Sequence, residues 1–186
     1  MDAITLLKED HTEVKRLFRE FEKAGERAVK TKQEIADQVI ENLSVHAVIE
    51  EQIFYPAIRE LVPDLTGDVL EALEEHHVAK WLLSELEGMT PEHERFDAKM
   101  KVLIESVRHH IQEEEGELFP QVRDALGRKV LADIGDQMVK AKELAPKRPH
   151  PKAPDEPPAN LVAGPASAVI DKVRELGREA IEKARR

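Results

Sequence analysis

The sequence predicts an all-α fold: an antiparallel up-down-up-down four-helix bundle with an extra C-terminal helix, a Pro-rich linker and a terminal amphipathic helix. Three observations carry that expectation. Apolar residues recur at helical spacing in four long segments joined by short breakers. Glycine is scarce (8 of 186 residues), 35% of the chain is charged and only 4% is aromatic, with long runs rich in Glu, Lys, Arg and Leu. The stretch HAVIEEQIFYP, residues 46–56, returns as HIQEEEGELFP at residues 110–120, so the chain reads as a duplicated helix pair.

The first helix carries the stripe Ile4, Leu7, Val14, Phe18 and Phe21, with His11 inside it. The second runs Ile35, Val39 and Leu43, and then His46, Glu50 and Ile53. The third runs Val69 and Leu73, then His76, then Leu83 and Leu86; the fourth runs Phe96, Met100, Leu103 and Val107, then His110 and Glu114. A polar stretch near Lys30, the segment Pro63 to Gly67, and the segment Gly88 to Pro91 break the pattern between them. Pro56 and Pro120 lack the N–H of the helical ladder and are expected to kink or end their helices. A fifth pattern after Gly127 (Val130, Leu131, Ile134, Met138, Ala141) closes a unit spanning residues 1–145.

Seven of the eleven prolines lie between residues 146 and 165, which marks residues 146–166 as an extended linker. Residues 167–186 form the tail, an amphipathic helix with Val169, Val173, Leu176 and Ala180 on one side. It is expected to pack back on the bundle or to pair with a partner helix in a homodimer.

Charge and composition exclude several function classes. Residues 146–186 carry nine Lys/Arg against six Asp/Glu, a net +3, which leaves −13 on the first 145 residues of a chain whose net charge is −10. Phosphate binding needs a basic face, so nucleic acid is not the expected partner of this acidic body. No apolar run approaches the ~20 residues of a membrane span. The charged N-terminus MDAITLLKEDHTEVKRLF has no apolar h-region, and the expected location is cytoplasmic. The absence of cysteine removes disulfides, thiolate metal sites and cysteine nucleophiles.

Residues four apart on a helix differ by about 40° in azimuth, so His46 and Glu50 share a face, as do His110 and Glu114. Both pairs continue the apolar stripes inward, and His11 and His76 do the same on their own helices. The His11-to-His46 and His76-to-His110 spacings are 35 and 34 residues, so two equivalent half-sites should face each other across the bundle. A lone inward histidine is ordinarily a hydrogen-bonded core residue. Four of them with two inward carboxylates are different, because unpaired buried carboxylates cost several kcal/mol each. Two divalent cations compensate them.

Imidazole and carboxylate without thiolate suit iron, manganese, zinc or copper, and carboxylates can bridge two cations ~3.5–4 Å apart. The ferritin-like alternative needs two Glu-x-x-His motifs, and only the Glu74–His77 spacing provides one.

His11, His46-x3-Glu50, His76 and His110-x3-Glu114 together resemble the hemerythrin HHE cation-binding family over residues 1 to about 145. The resemblance implies two iron ions held by His11, His46, His76 and His110. Glu50 and Glu114 would bridge them, alongside an oxo or hydroxo ligand. Members that carry oxygen have five histidines, with an HxxxH pair on the third helix; here the second of those positions is Lys80. Reversible oxygen carriage is therefore not the expected activity.

The implied reactants are small oxidants: dioxygen, nitric oxide or hydrogen peroxide. A peroxide-consuming redox enzyme leads, ahead of a gas or redox sensor and of an iron buffer or structural metal site. His77 competes with His76 for the third-helix position, and His109 with His110 for the fourth. Alignment of the repeats favours His76 and His110. Glu51 and Glu115 are expected to be exposed or to orient histidines, and Phe54, Tyr55 and Phe119 to wall the site.

Overall fold

The computed structural model describes residues 1–149, 175 and 178–185, and among these every regular element is helical. Helix α1, Ala3–Lys23, starts on Asp2, whose carboxylate accepts hydrogen bonds from the Thr5 N–H (3.0 Å) and hydroxyl (2.7 Å). Helix α2, Val29–Ile49, runs through a π-helical turn, Glu50–Phe54, into α3, Tyr55–Leu61. After a 3₁₀ turn at Pro63–Leu65 comes α4, Thr66–Glu87. Helix α5, Phe96–Glu113, passes through a second π turn, Glu114–Leu118, into α6, Phe119–Leu144. Gly127 interrupts α6 with φ +69°, so its second half is the expected fifth helix.

The helices do not end at Pro56 and Pro120. Instead the ladder widens ahead of each proline: the Tyr55 N–H bonds the Glu50 carbonyl, and the Phe119 N–H bonds the Glu114 carbonyl, each five residues back. The missing proline N–H is accommodated by a wider turn rather than by a break. The extra residue also brings position i+5 back toward the face of position i. Tyr55 and Phe119 thereby become buried, on the side of their helices that carries the glutamates.

Helix α1 packs on α2 and α6, α4 packs on α5, and α2 packs on α4. Two apolar clusters form the core. One contains Ile4, Leu7, Ile53, Phe54, Leu73, Phe119, Ile134 and Met138; the other contains Val14, Phe18, Leu43, Leu83, Phe96, Met100 and Val107. His11, His46, Glu50, His76, His110 and Glu114 belong to neither and are all buried.

The N-terminus is held against the fifth helix at Gly135, where a Cβ would lie 2.3 Å from the Met1 carbonyl oxygen and 2.7 Å from the Ala3 nitrogen. Residues 178–184 of the tail are helical, and Ala180 and Ile181 join the first apolar cluster. Lys183 bonds Asp133 at 3.2 Å and Arg185 pairs with Glu60. These residues pack on their own bundle, the first of the two placements expected. The linker beyond residue 149, and Val169, Val173 and Leu176 of the tail, lie outside the described residues. No described helix is long and apolar enough to cross a membrane.

Candidate metal centre

Each of the four long helical segments delivers one histidine to a common layer, and the two π turns begin on its two glutamates. Glu50 is fully buried and Glu114 nearly so, at 0% and 2% exposure. Glu50 Oε2 lies 3.1 Å from His46 Nε2 and 3.3 Å from His76 Nε2. Glu114 Oε2 lies 3.3 Å from His11 Nε2 and 3.4 Å from His110 Nε2. The imidazoles associate in pairs across the layer: His11 with His46 (ring centroids 4.9 Å apart) and His76 with His110 (4.7 Å). Each glutamate therefore spans from one histidine pair to the other.

Two overlapping donor sets result, with Glu50 common to both: His11, His46, Glu50 and Glu114, and then Glu50, His76 and His110. For metal–ligand bonds of about 2.1 Å, neighbouring donors lie roughly 3.0–3.4 Å apart in octahedral or tetrahedral shells. The Nε2-to-carboxylate separations fall in that range. His11 Nε2, His46 Nε2, both Glu50 oxygens and Glu114 Oε2 are buried with no hydrogen-bond partner. Buried polar atoms are rarely left so, and a concentration of them at facing donor atoms fits cations.

Three of the outward ring nitrogens are held by carboxylates, and the fourth faces one. His11 Nδ1 bonds Glu115 (2.9 Å), His76 Nδ1 bonds Glu51 (3.1 Å), and His110 Nδ1 bonds Glu75 (2.7 Å). His46 Nδ1 lies 3.5 Å from Asp10. With Nδ1 engaged outward, the rings of His11, His76 and His110 are fixed with Nε2 toward the centre, whereas His46 Nδ1 faces Asp10 without forming a hydrogen bond. Three of these carboxylates also pair with a lysine: Glu115 with Lys15 at 2.9 Å, Glu51 with Lys80 at 2.8 Å, and Asp10 with Lys142.

The arrangement has an internal twofold relation that exchanges Asp10, His11 and Lys15 with Glu75, His76 and Lys80. The same relation exchanges His46, Glu50 and Glu51 with His110, Glu114 and Glu115. Lys80 is the counterpart of Lys15. Like Lys15, it braces the carboxylate that orients the histidine one turn before it.

Electrostatics follow from this packing. Burial works against a charge on His46 and on His76. Their carboxylate neighbours outweigh it and raise the imidazoles to about 10 and about 9: Glu50 and Asp10 act on His46, Glu50 and Glu51 on His76. Burial likewise opposes ionisation of Glu50, yet His46 and His76 hold it well below the ordinary carboxylate range. Burial, and then the Glu114 and Glu50 charges, push the Tyr55 phenol well above 10, so it stays protonated and donates to Glu114 Oε1 at 2.8 Å. Phe119, the counterpart of Tyr55, stacks on His11 with centroids 5.8 Å apart.

All six residues singled out from the sequence occupy this layer. His109 faces outward, its side chain 65% exposed, and His77 belongs to neither buried donor set. Glu51 and Glu115 orient histidines, each on a different helix from its own. Asp10 and Glu75 were not anticipated in that role. Their only signal in the sequence is that each directly precedes an inward histidine. A cavity of about 30 Å³ adjoins the donor atoms, bounded on its apolar side by Val14, Leu43, Leu83, Val107 and Ile111.

Residues 2–122 match the family model described as Hemerythrin HHE cation binding domain. A hemerythrin-like protein of Schizosaccharomyces pombe is 29% identical over 141 residues, covering 75% of this chain and 70% of that protein. A DNA nickase of a Nostoc species is 29% identical over 126 residues, covering 68% of this chain and 35% of the nickase. The crystal structure of an HHE cation binding domain-containing protein from Mycobacterium kansasii superposes with a TM-score of 0.64 at 20% identity, covering 99% of both chains. That likeness shows a common fold. With the family model spanning most of its length, the chain belongs to the hemerythrin HHE cation-binding domain family.

Proposed function

We propose that the chain is a carboxylate-bridged di-iron protein that reacts with small oxidants, with consumption of hydrogen peroxide as the leading activity. His11 and His46 would hold one iron and His76 and His110 the other, with Glu50 and Glu114 shared between them. The observation that carries this reading is the buried layer of facing donor atoms, in which those of His11, His46, Glu50 and Glu114 Oε2 have no hydrogen-bond partner and His76 and His110 complete a second donor set with Glu50. When bound, the iron pair supplies two-electron redox chemistry toward an oxygen–oxygen bond.

The chain's own residues do the rest. Glu51, Glu75 and Glu115 fix three imidazoles with Nε2 inward, and the Asp10 carboxylate faces the fourth. Tyr55 holds its phenolic proton toward Glu114 Oε1, inside the layer, where it is available to an oxygen atom arriving beside Glu114. A cavity needs about 10–15 Å³ to hold one water, so the adjoining 30 Å³ space is large enough for a diatomic molecule or peroxide.

The test is metal content per chain with ultraviolet–visible spectra of anaerobically purified protein before and after air, followed by oxygen evolution from peroxide. About two irons per chain, new near-ultraviolet absorption on oxidation, and gas evolution lost in His46→Ala are expected. A protein that takes up only zinc, or iron-loaded protein inert to air and peroxide, would remove the redox reading and leave a structural or storage site.

A further inference from the structure

The twofold relation fails at one corner, and the failure is chemically specific. Asp10 pairs with Lys142, and on the following helix of the first repeat positions 45 and 49 are the apolar Val45 and Ile49. Its counterpart Glu75 meets no lysine among the described residues. The positions matching Val45 and Ile49 are His109 and Glu113, one turn apart on the outer face of α5. His109 Nε2 lies 3.2 Å from Glu113 Oε1 and 3.8 Å from Glu75 Oε1. Glu75 Oε2, the other oxygen of the same carboxylate, bonds His110 Nδ1 at 2.7 Å. Side-chain exposure falls from 65% at His109 and 40% at Glu113 to 21% at Glu75 and 7% at His110.

We propose that Glu75, His109 and Glu113 form a third, solvent-facing site that captures a divalent transition-metal ion and passes it toward His110. The donor atoms lie within 4.8 Å of one another; the His109–Glu113 separation of 3.2 Å falls within the ~3.0–3.4 Å edges of a coordination shell, and His109–Glu75 at 3.8 Å lies just beyond them. One imidazole with two carboxylates and no thiolate suits ferrous iron, manganese, cobalt or zinc. The acidic body, −13 over residues 1–145, raises the local concentration of cations. Glu75 is the link, because one carboxylate serves the surface donors with one oxygen and a buried histidine with the other. The surface site stands without the buried centre; the capture role rests on the di-iron reading above.

Cobalt(II) is the probe, added to the metal-free full-length chain. Equilibrium content per chain is measured for wild type, His109→Ala and Glu113→Gln, and the rise of cobalt visible absorption is followed by stopped flow. Both variants change exposed side chains outside the buried layer. Wild type is expected to hold about three cobalt ions and each variant about two, with loading of the buried pair about tenfold slower in the variants.

Equal cobalt content in all three proteins overturns the surface site and leaves His109–Glu113 an ordinary ion pair. Loss of one ion with loading at the wild-type rate overturns the capture role. A single ion in wild type, absent from both variants, supports the surface site and refutes the buried centre instead.

Discussion

Glu51→Gln and Glu115→Gln are the same change at two related positions, and the structure predicts unequal consequences. Each carboxylate accepts from a histidine Nδ1 and pairs with a lysine four residues beyond that histidine. Glutamine keeps an acceptor for the ring but loses the ionic partner of the lysine. At Glu51 both partners are buried, with side-chain exposures of 5% and 7%. Breaking a buried ion pair costs about 3–5 kcal/mol, because the remaining charge stays desolvated. Lys80 has contacts beyond Glu51, which places the expected cost near the lower end, about 3 kcal/mol.

At Glu115 the partners are 29% and 36% exposed, and a solvent-screened pair of that kind contributes at most about 1 kcal/mol. Metal affinity should behave differently. Both variants loosen one histidine, and loss of such a partner lowers affinity about 10–100-fold in either case. Urea denaturation of the chelated proteins measures the first effect, and competition with a chromophoric chelator the second. Equal stability losses would show that burial does not govern the two lysine pairs. Unchanged affinities would show that the outer carboxylates do not position the rings.

Other expectations concern the frame and the metal. Gly135→Ala places a methyl group against Met1 and Ala3 backbone, and overpacking of this kind costs about 1–3 kcal/mol. Thermal melting should show the loss, with metal content per folded chain unchanged. Removal of metal by chelation should lower the melting temperature, since a site saturated at a hundredfold excess over its dissociation constant contributes about 2.7 kcal/mol. Identical melting curves with and without chelator would show that the buried layer does not bind the ion added.

The bundle and its buried layer were legible because they are local. Inward histidines and glutamates reveal themselves by continuing a stripe of 3.6-residue period, and the duplicated motif exposes the pairing of halves. What stayed hidden depends on neighbours distant in sequence. Nothing around Asp10 shows that its carboxylate meets His46 of α2, or that Glu75 meets His110 of α5. Those contacts arise only when the helices cross. The π turns were hidden for another reason. A proline announces a missing N–H, and whether the ladder breaks or widens is decided by packing: here Tyr55 and Phe119 are buried beside the glutamates. Lys80 was visible as a departure from the oxygen-carrier pattern, but its role emerges only beside Lys15.

The twofold relation also identifies which differences between the halves carry chemistry, and Tyr55 against Phe119 is the one inside the layer. Tyr55 satisfies Glu114 Oε1, whereas Glu50 Oε1, the matching atom of the other half, is buried without a hydrogen-bond partner. Tyr55→Phe should therefore cost about 1–3 kcal/mol in the metal-free protein, the penalty of leaving a buried acceptor unmet. Phe119→Tyr should have the opposite sign, because its added hydroxyl points by symmetry at that partnerless oxygen; a net gain of about 1 kcal/mol is expected. The double exchange moves the phenol from one half to the other and should restore near wild-type stability. Denaturant titration of the chelated proteins reads all three. If Phe119→Tyr instead destabilises by the 1–3 kcal/mol typical of overpacking, the halves are related in sequence but not in the space around their glutamates. The phenol would then belong to the His76 side for steric reasons alone.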